Sequence, residues 1–230
     1  MSVRELLSLC VATVLMTVLI ALVMYYVMPM PPDMLVLSAF IVTVVAVIGH
    51  EMVHRIYAVE FCHARSEFSV TYFAIVITLI SIIIMIVLIA LKLWCGWTIK
   101  LLPIIASPGA VYIAMRERSE CYDNVAIAAP FYNFIVGIIT LVWLYSVTQP
   151  PFVLNDPNNM LESVVAQISL FSFVFAFFNA LPIKIGSVAL DGYWALTVDR
   201  DDLVTKAITV IIIAVSFYVL FALDIWAVVV

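Results

Sequence analysis

Residues 70–91 read VTYFAIVITLISIIIMIVLIAL, a largely apolar stretch without one charged side chain. A helix needs about 20 apolar residues to cross the hydrocarbon core of a bilayer, and this stretch is long enough. Five further stretches have a similar length and are also mostly apolar: residues 6–28, 34–59, 125–147, 161–181 and 207–230. The pattern predicts an all-α polytopic membrane protein with about six transmembrane helices.

The composition of the whole chain indicates the same environment. Apolar residues make up 67% of the 230 residues and charged residues only 11%. Soluble domains carry about 25% charged residues, so the lipid bilayer is the expected surrounding. The chain has no basic cluster of the kind that binds nucleic acid, and no nucleic-acid partner is expected. The first apolar run is too long for a signal-peptide core, so we expect it to remain as a transmembrane helix.

One further apolar stretch, residues 99–115, is short and is interrupted by Pro103, Pro108 and Gly109. It is expected either to cross the membrane or to dip into it and return. Irregular backbone at that depth must be buried in protein or line a wet cavity, because lipid cannot satisfy its amide groups. The sequence has no repeat and no appended soluble domain, so residues 1–230 are interpreted as a single membrane domain.

The basic residues predict the orientation. If the N-terminus is inside and residues 99–115 count as a crossing, only Lys92 and Lys100 lie outside. The other basic residues then lie on the cytoplasmic side: Arg4, Arg55, Arg65, Arg116, Arg118, Lys184, Arg200 and Lys206. Cytoplasmic loops are enriched in Lys and Arg. We therefore expect a multi-pass protein of the cell membrane with a cytoplasmic N-terminus.

The four cysteines are scattered, at Cys10, Cys62, Cys95 and Cys121, and no two form a C-x-x-C pair. A disulfide framework is not expected, because single cysteines in membrane segments usually act as small apolar residues. Cys62 stands beside His63, but nothing pairs with them at metal-site spacing, so neither is assigned as a ligand.

Two of the three histidines belong to the segment HEMVH, residues 50–54. Side chains four positions apart lie on one face of a helix, so His50 and His54 can bind one metal ion. Glu51 stands beside that face, where its carboxylate can take a proton from a water that the metal activates. This is the H-E-x-x-H pattern of zinc peptidases, and ionisable residues inside an apolar span are functional by default. The segment predicts a zinc site.

A catalytic zinc needs a third protein ligand and one open position. His63 follows only nine residues after His54 and is expected to be an interfacial polar residue. Asp191 is the preferred third ligand, because its segment, GSVALDGYWAL over residues 186–196, is mostly apolar and holds no basic neighbour. The other interpretation of Asp191 is a helix-capping or turn residue before Gly192.

With these motifs the chain resembles the site-2 protease family of intramembrane metalloproteases, in archaeal-type form. In that family a transmembrane H-E-x-x-H is completed by an Asp in a distant N-x-x-P…D-G motif. The matching segments here are HEMVH (50–54), NALP (179–182) with DG (191–192), AAPFYN (128–133) and ASPGAV (106–111). The resemblance covers residues 34–200. The family usually has Ala-Gly-Pro where this chain has Ala-Ala-Pro, and the spacer between Pro182 and Asp191 is longer than usual.

The resemblance implies zinc held by His50, His54 and Asp191, with Glu51 as the catalytic residue. It further implies that Asn133 and Asn179 hold a substrate strand or the developing oxyanion, although neutral amides in membranes more often bond neighbouring helices.

The function implied is hydrolysis of peptide bonds in or near transmembrane segments of membrane protein substrates. Two other interpretations stay open. One is a membrane zinc transporter or sensor, which usually carries several intramembrane carboxylates and paired repeats. The other is an inactive relative that binds membrane helices.

Overall fold

The computed structural model describes residues 2–27, 30–96, 109–114, 121–148, 159–185, 188–197 and 203–222. The helices in these ranges are, in chain order, α1 (Val3–Val27), α2 (Pro32–Val42), α3 (Gly49–Ile56), α4 (Tyr72–Cys95), α5 (Cys121–Val147), α6 (Met160–Ala180), α7 (Asp191–Thr197) and α8 (Leu203–Ala222). Two small antiparallel sheets complete the fold, formed by β1 (Arg65–Val70) with β2 (Gly109–Ala114) and by β3 (Lys184–Ile185) with β4 (Val188–Ala189).

Six helical segments in the described part of the chain are long and apolar enough to cross a membrane. Five are single helices, and the sixth is the continuous 30-residue segment Pro32–Phe61, which contains α2 and α3. Each corresponds to one of the predicted stretches, although the last helix is described only as far as Ala222. The predicted fold class, an all-α multi-pass membrane protein, is confirmed.

The segment Pro32–Phe61 is not a uniform α-helix. It contains two π-helical turns, Thr43–Ile48 and Tyr57–Phe61, and α3 lies between them. A π turn inserts one extra residue and so rotates the side chains that follow it, and such turns are frequent at functional sites. The H-E-x-x-H segment therefore occupies an α-helical turn with a change of helical register on either side.

The sheet of β1 and β2 shows where strand β2 lies relative to the two ends of α4. Gly109 pairs with Val70, which lies just before the start of α4, whereas α4 itself ends at Cys95. Gly109 therefore lies near the beginning of α4, although in the chain it follows the far end of that helix. Of the predicted interrupted stretch 99–115, residues 109–114 form strand β2, and residues 99–108 and 115 lie outside the described residues.

Two polar contacts define the two ends of the helix bundle. Glu5 at the start of α1 contacts Arg55 at the end of α3, with Oε1 and Nη1 3.0 Å apart. At the opposite end, Lys92 of α4 donates a hydrogen bond of 2.6 Å to the carbonyl of Tyr26 near the end of α1. We call the end that contains Glu5 and Arg55 the site end.

The expectation that the cysteines act singly is wrong for one pair. Cys62 and Cys121 form a disulfide, with Cα atoms 5.7 Å apart, that joins the last turn of Pro32–Phe61 to the start of α5. The two cysteines are 59 residues apart, so no local spacing pattern predicts the bridge. A hydrogen bond of 3.1 Å from Thr205 to Asn124 also brings the start of α8 to the site end.

Candidate metal centre

The two histidines of the H-E-x-x-H segment project from the same face of α3. Their ring centroids are 4.9 Å apart, and both residues are buried, as the spacing predicts. The face they share points into the bundle, towards α5 and the start of α7. Glu51, next to His50 on α3, is also buried, with 6% of its surface exposed.

Asp191 lies directly opposite the two imidazoles. Its Oδ2 atom is 3.2 Å from Nε2 of His50 and 3.2 Å from Nε2 of His54. Within the described residues, His50, His54 and Asp191 are the one group of at least three His, Cys, Asp or Glu side chains positioned to hold a metal ion. His63, the third histidine, is not part of this group.

The separations fit a metal ion with short bonds. Tetrahedral ligand atoms at 2.0–2.1 Å from zinc lie about 3.3 Å from one another. The two N–O separations of 3.2 Å match that spacing. Two imidazoles and one carboxylate also leave the fourth tetrahedral position open, as in catalytic rather than structural zinc sites. The side chain of Asp191 is 22% exposed, so the centre is open on this side.

The long spacer before Asp191 forms a small hairpin. Strands β3 and β4 pair antiparallel, and the amide of Leu190 donates a hydrogen bond of 3.0 Å to the carbonyl of Ile183. The chain therefore turns back on itself, and Asp191 begins α7 close to where α6 ended. The described residues of this hairpin pair with one another, so the length of the segment between Pro182 and Asp191 does not carry Asp191 away from the histidines.

The close packing of α7 on α6 explains why a glycine, Gly192, follows Asp191. A Cβ atom at this position would overlap the backbone carbonyl of Ala180, the last residue of α6. The absence of a side chain lets the first turn of α7 lie directly on the end of α6. This close approach fixes where α7 begins and therefore where the Asp191 carboxylate points.

Helix α5 contacts the outer nitrogen of both histidines. Nδ1 of His54 lies 2.8 Å from the carbonyl oxygen of Val125, and Nδ1 of His50 lies 3.1 Å from Nδ2 of Asn133. Pro130 lies inside α5 between these two contacts, and it cannot donate the usual helical hydrogen bond. Because a carbonyl oxygen can only accept, Nδ1 of His54 donates in this contact and leaves Nε2 free for a metal.

A second close approach holds α3 against α5. A Cβ atom on Gly49 would lie 2.8 Å from Cε1 of Tyr132, so only glycine lets this ring pack against the start of α3. The Tyr132 hydroxyl donates a hydrogen bond of 3.1 Å to the carbonyl of Val45, which belongs to the π-helical turn Thr43–Ile48. Sequence reasoning did not assign a role to Tyr132 or Gly49.

Polar contacts also fix the end of α3 after His54. The buried carboxylate of Glu5 contacts Arg55 and accepts a hydrogen bond of 3.4 Å from the amide of Phe68 in β1. It thus joins α1, α3 and the sheet of β1 and β2.

In the centre itself, burial favours a higher pKa for the Asp191 carboxyl, but the neighbouring His54 and His50 hold that pKa below its usual value.

The two asparagines assigned to the substrate by resemblance lie in different surroundings. Asn133 is completely buried and contacts His50. Asn179 is half-buried on the last turn of α6, next to the residue that Gly192 contacts. Among the described residues no hydrogen bond joins Asn179 to the three candidate ligands, and its role in substrate binding stays a prediction.

The geometry can bind a divalent metal ion with two imidazoles and a carboxylate inside a membrane helix bundle, next to a buried glutamate. No protein-family model, curated protein or solved structure matches this chain.

Proposed function

We propose that the protein is an intramembrane zinc metalloprotease of the site-2 protease type. The observation that carries the proposal is the convergence of His50, His54 and Asp191, with 3.2 Å between Oδ2 and each Nε2, beside the buried Glu51. Two histidines and a carboxylate are a ligand set of zinc peptidases, and the glutamate between the histidines in sequence is the residue such enzymes use as a base.

The chemistry follows from the roles of these side chains. Zinc, when bound, polarises the scissile carbonyl and makes water more acidic. Glu51 accepts the proton of the attacking water and then delivers it to the leaving amine. The side of the centre that holds Asp191 is the more exposed one, and water and an extended peptide approach from that side.

The substrate class follows from the location of the centre. His50 and His54 belong to a segment that is long and apolar enough to cross the membrane, so the peptide bond must reach a site inside the helix bundle. A helical substrate protects its own carbonyls by hydrogen bonding, and local unwinding must precede hydrolysis. We infer that the substrates are membrane proteins whose transmembrane segments unwind readily.

The proposed orientation places the site end in the cytoplasm, because basic residues favour that side. Four of these residues lie in or next to elements at the site end: Arg55, Arg65, Lys184 and Lys206. The Cys62–Cys121 disulfide lies at the same end, and disulfides persist in the cytoplasm mainly in hyperthermophilic organisms. The proposed orientation and the bridge are compatible in such a cell.

The proposal is tested with purified protein in proteoliposomes, together with reporter proteins whose single transmembrane helices carry central glycine or proline residues. We expect zinc-dependent cleavage that Glu51→Gln slows by about 10²–10⁴-fold without loss of bound zinc. The matched control is Glu60→Gln, which changes an exposed glutamate on the same membrane segment and should cleave normally. If the wild type cleaves no reporter, or if Glu51→Gln cleaves at the wild-type rate, the protease assignment is wrong.

A further inference from the structure

We propose that Asn133 is a positioning residue whose side-chain carbonyl accepts the Nδ1–H of His50 and so keeps Nε2 of His50 available to the metal. This inference rests on the metal centre of the proposed function and not on proteolysis. It assigns Asn133 a different role from the oxyanion or substrate contact that the family resemblance implies.

The first observation is an unpaired buried oxygen. Asn133 is completely buried, its Nδ2 lies 3.1 Å from Nδ1 of His50, and its Oδ1 has no hydrogen-bond partner among the described residues. A buried carbonyl without a partner is costly. The oxygen and nitrogen of an asparagine amide have nearly the same shape, and a half-turn of the amide exchanges them. That half-turn brings Oδ1 to the position facing Nδ1 of His50.

The second observation concerns the proton of the imidazole. A neutral histidine carries one N–H, and a nitrogen that binds a metal must offer its lone pair. Nε2 of His50 is the atom that faces Asp191, so ligation through Nε2 requires the proton on Nδ1. An Asn133 amide that presents N–H to Nδ1 would oppose that proton. An amide that presents its carbonyl would accept that proton and hold it where ligation through Nε2 requires it. The oxygen then gains a partner, while the amide N–H group moves to the position that Oδ1 occupies now.

His54 makes a contact of the same kind, and there the acceptor is unambiguous. Its Nδ1 faces the backbone carbonyl of Val125, which can only accept. Val125 and Asn133 are eight residues apart on α5, so about two turns of a single helix supply an acceptor for each histidine. Metal-binding histidines commonly donate their second N–H to such an acceptor, which fixes both the tautomer and the orientation of the ring.

The location of Asn133 does not suit a substrate contact. The two nitrogens of an imidazole lie on different sides of the ring, and Asn133 contacts the one that faces away from Asp191. With none of its surface exposed, Asn133 lies behind His50 rather than beside the open side of the centre.

The test measures zinc affinity by competition with a chromophoric chelator, using detergent-purified full-length protein. Asn133→Leu keeps the approximate volume but removes the acceptor, and zinc affinity should fall about 10- to 100-fold, as for other lost outer partners of metal-bound histidines. Asn133→Asp keeps an acceptor and removes the donor, and its affinity should stay within about threefold of the wild type or rise.

The matched control is Ser169→Ala. The Ser169 hydroxyl donates a buried hydrogen bond of 3.0 Å to the carbonyl of Gly137 on the same helix α5. Its loss removes a buried polar contact to α5 without touching a histidine, and zinc affinity should not change. Thermal unfolding of each variant identifies those that fail to fold. If Asn133→Leu is one of them, the zinc affinity of Asn133→Asp alone decides the question.

Unchanged affinity in a folded Asn133→Leu protein, or a loss of tenfold or more in folded Asn133→Asp, would overturn the inference. The second result is the one expected if the amide N–H were the functional group. The outcomes also separate this inference from the protease proposal. Normal zinc binding without cleavage of any reporter contradicts proteolysis alone, whereas wild-type protein that binds no zinc contradicts both.

Discussion

The metal centre has two halves that are built differently. In α3, the positions of His50 and His54 follow from the helix itself, because residues four apart share a face. In the segment that contains Asp191, the carboxylate belongs to the first residue of a seven-residue helix that follows a small hairpin. Asp191 lies 137 residues or more along the chain from the histidines, and its location depends on contacts with the end of α6.

This difference predicts where the centre is vulnerable. The histidine half should tolerate small shifts, since one rigid helix carries both ligands and moves them together. The Asp191 half has no such internal constraint, and any displacement of α7 moves the carboxylate relative to both imidazoles. The centre is therefore expected to lose metal mainly through changes that separate α7 from α6.

Two glycine substitutions break the halves separately, and the larger effect is expected for Gly192→Ala. The added Cβ would overlap the backbone of Ala180, which cannot move without disturbing α6, so α7 must shift. We expect zinc affinity to fall by at least about tenfold, a loss of the size seen when outer contacts of a metal site are removed. Chelator competition measures it, with circular dichroism as the check that the helices persist.

Gly49→Ala is the matched substitution in the histidine half. Here the added Cβ would meet the ring of Tyr132, a side chain that can give way, rather than backbone. We expect a smaller loss of zinc affinity, less than about fivefold, with some loss of stability from overpacking. Equal losses for Gly49→Ala and Gly192→Ala in the same chelator assay would contradict the contrast between the halves.

The smallest effect on zinc is expected when the disulfide is removed. Cys62→Ser with Cys121→Ser releases the covalent link between the π-helical turn Tyr57–Phe61 and α5, and should lower the free energy of unfolding by about 2–4 kcal/mol. Zinc affinity should stay near that of the wild type, because the bridge contacts none of the three ligands. The control is Cys95→Ser, which replaces an exposed free cysteine.

Denaturant unfolding and chelator competition on the same samples separate the two effects. A disulfide variant that loses zinc in proportion to its stability would show that the histidine half depends on this covalent link. The rigid-helix explanation for His50 and His54 would then be wrong.

The same contrast explains which features were predictable from sequence. The transmembrane helices and the shared face of His50 and His54 follow from local periodicity and length. Asp191 was singled out by an unneutralised carboxylate in an apolar segment and by resemblance, but the hairpin that returns it to the histidines was not foreseen. Two-residue strands carry too little pattern to be recognised.

Contacts between distant segments were also missed. Three contacts join residues that are far apart in sequence: the Cys62–Cys121 bridge, the contact of Tyr132 with Gly49, and the contact of the Val125 carbonyl with His54. A backbone carbonyl has no side-chain signature at all. The family resemblance singles out Asn133, but only the geometry shows that it faces the outer nitrogen of His50.

The most direct test of the metal centre is the zinc content of detergent-purified protein by elemental mass spectrometry, for the wild type, His54→Ala and Asp191→Ala. We expect about one zinc per wild-type chain and strong loss in both variants, because each removes one of three protein ligands. A folded wild type without zinc would contradict the central claim. Full zinc content in Asp191→Ala would contradict the assignment of the third ligand.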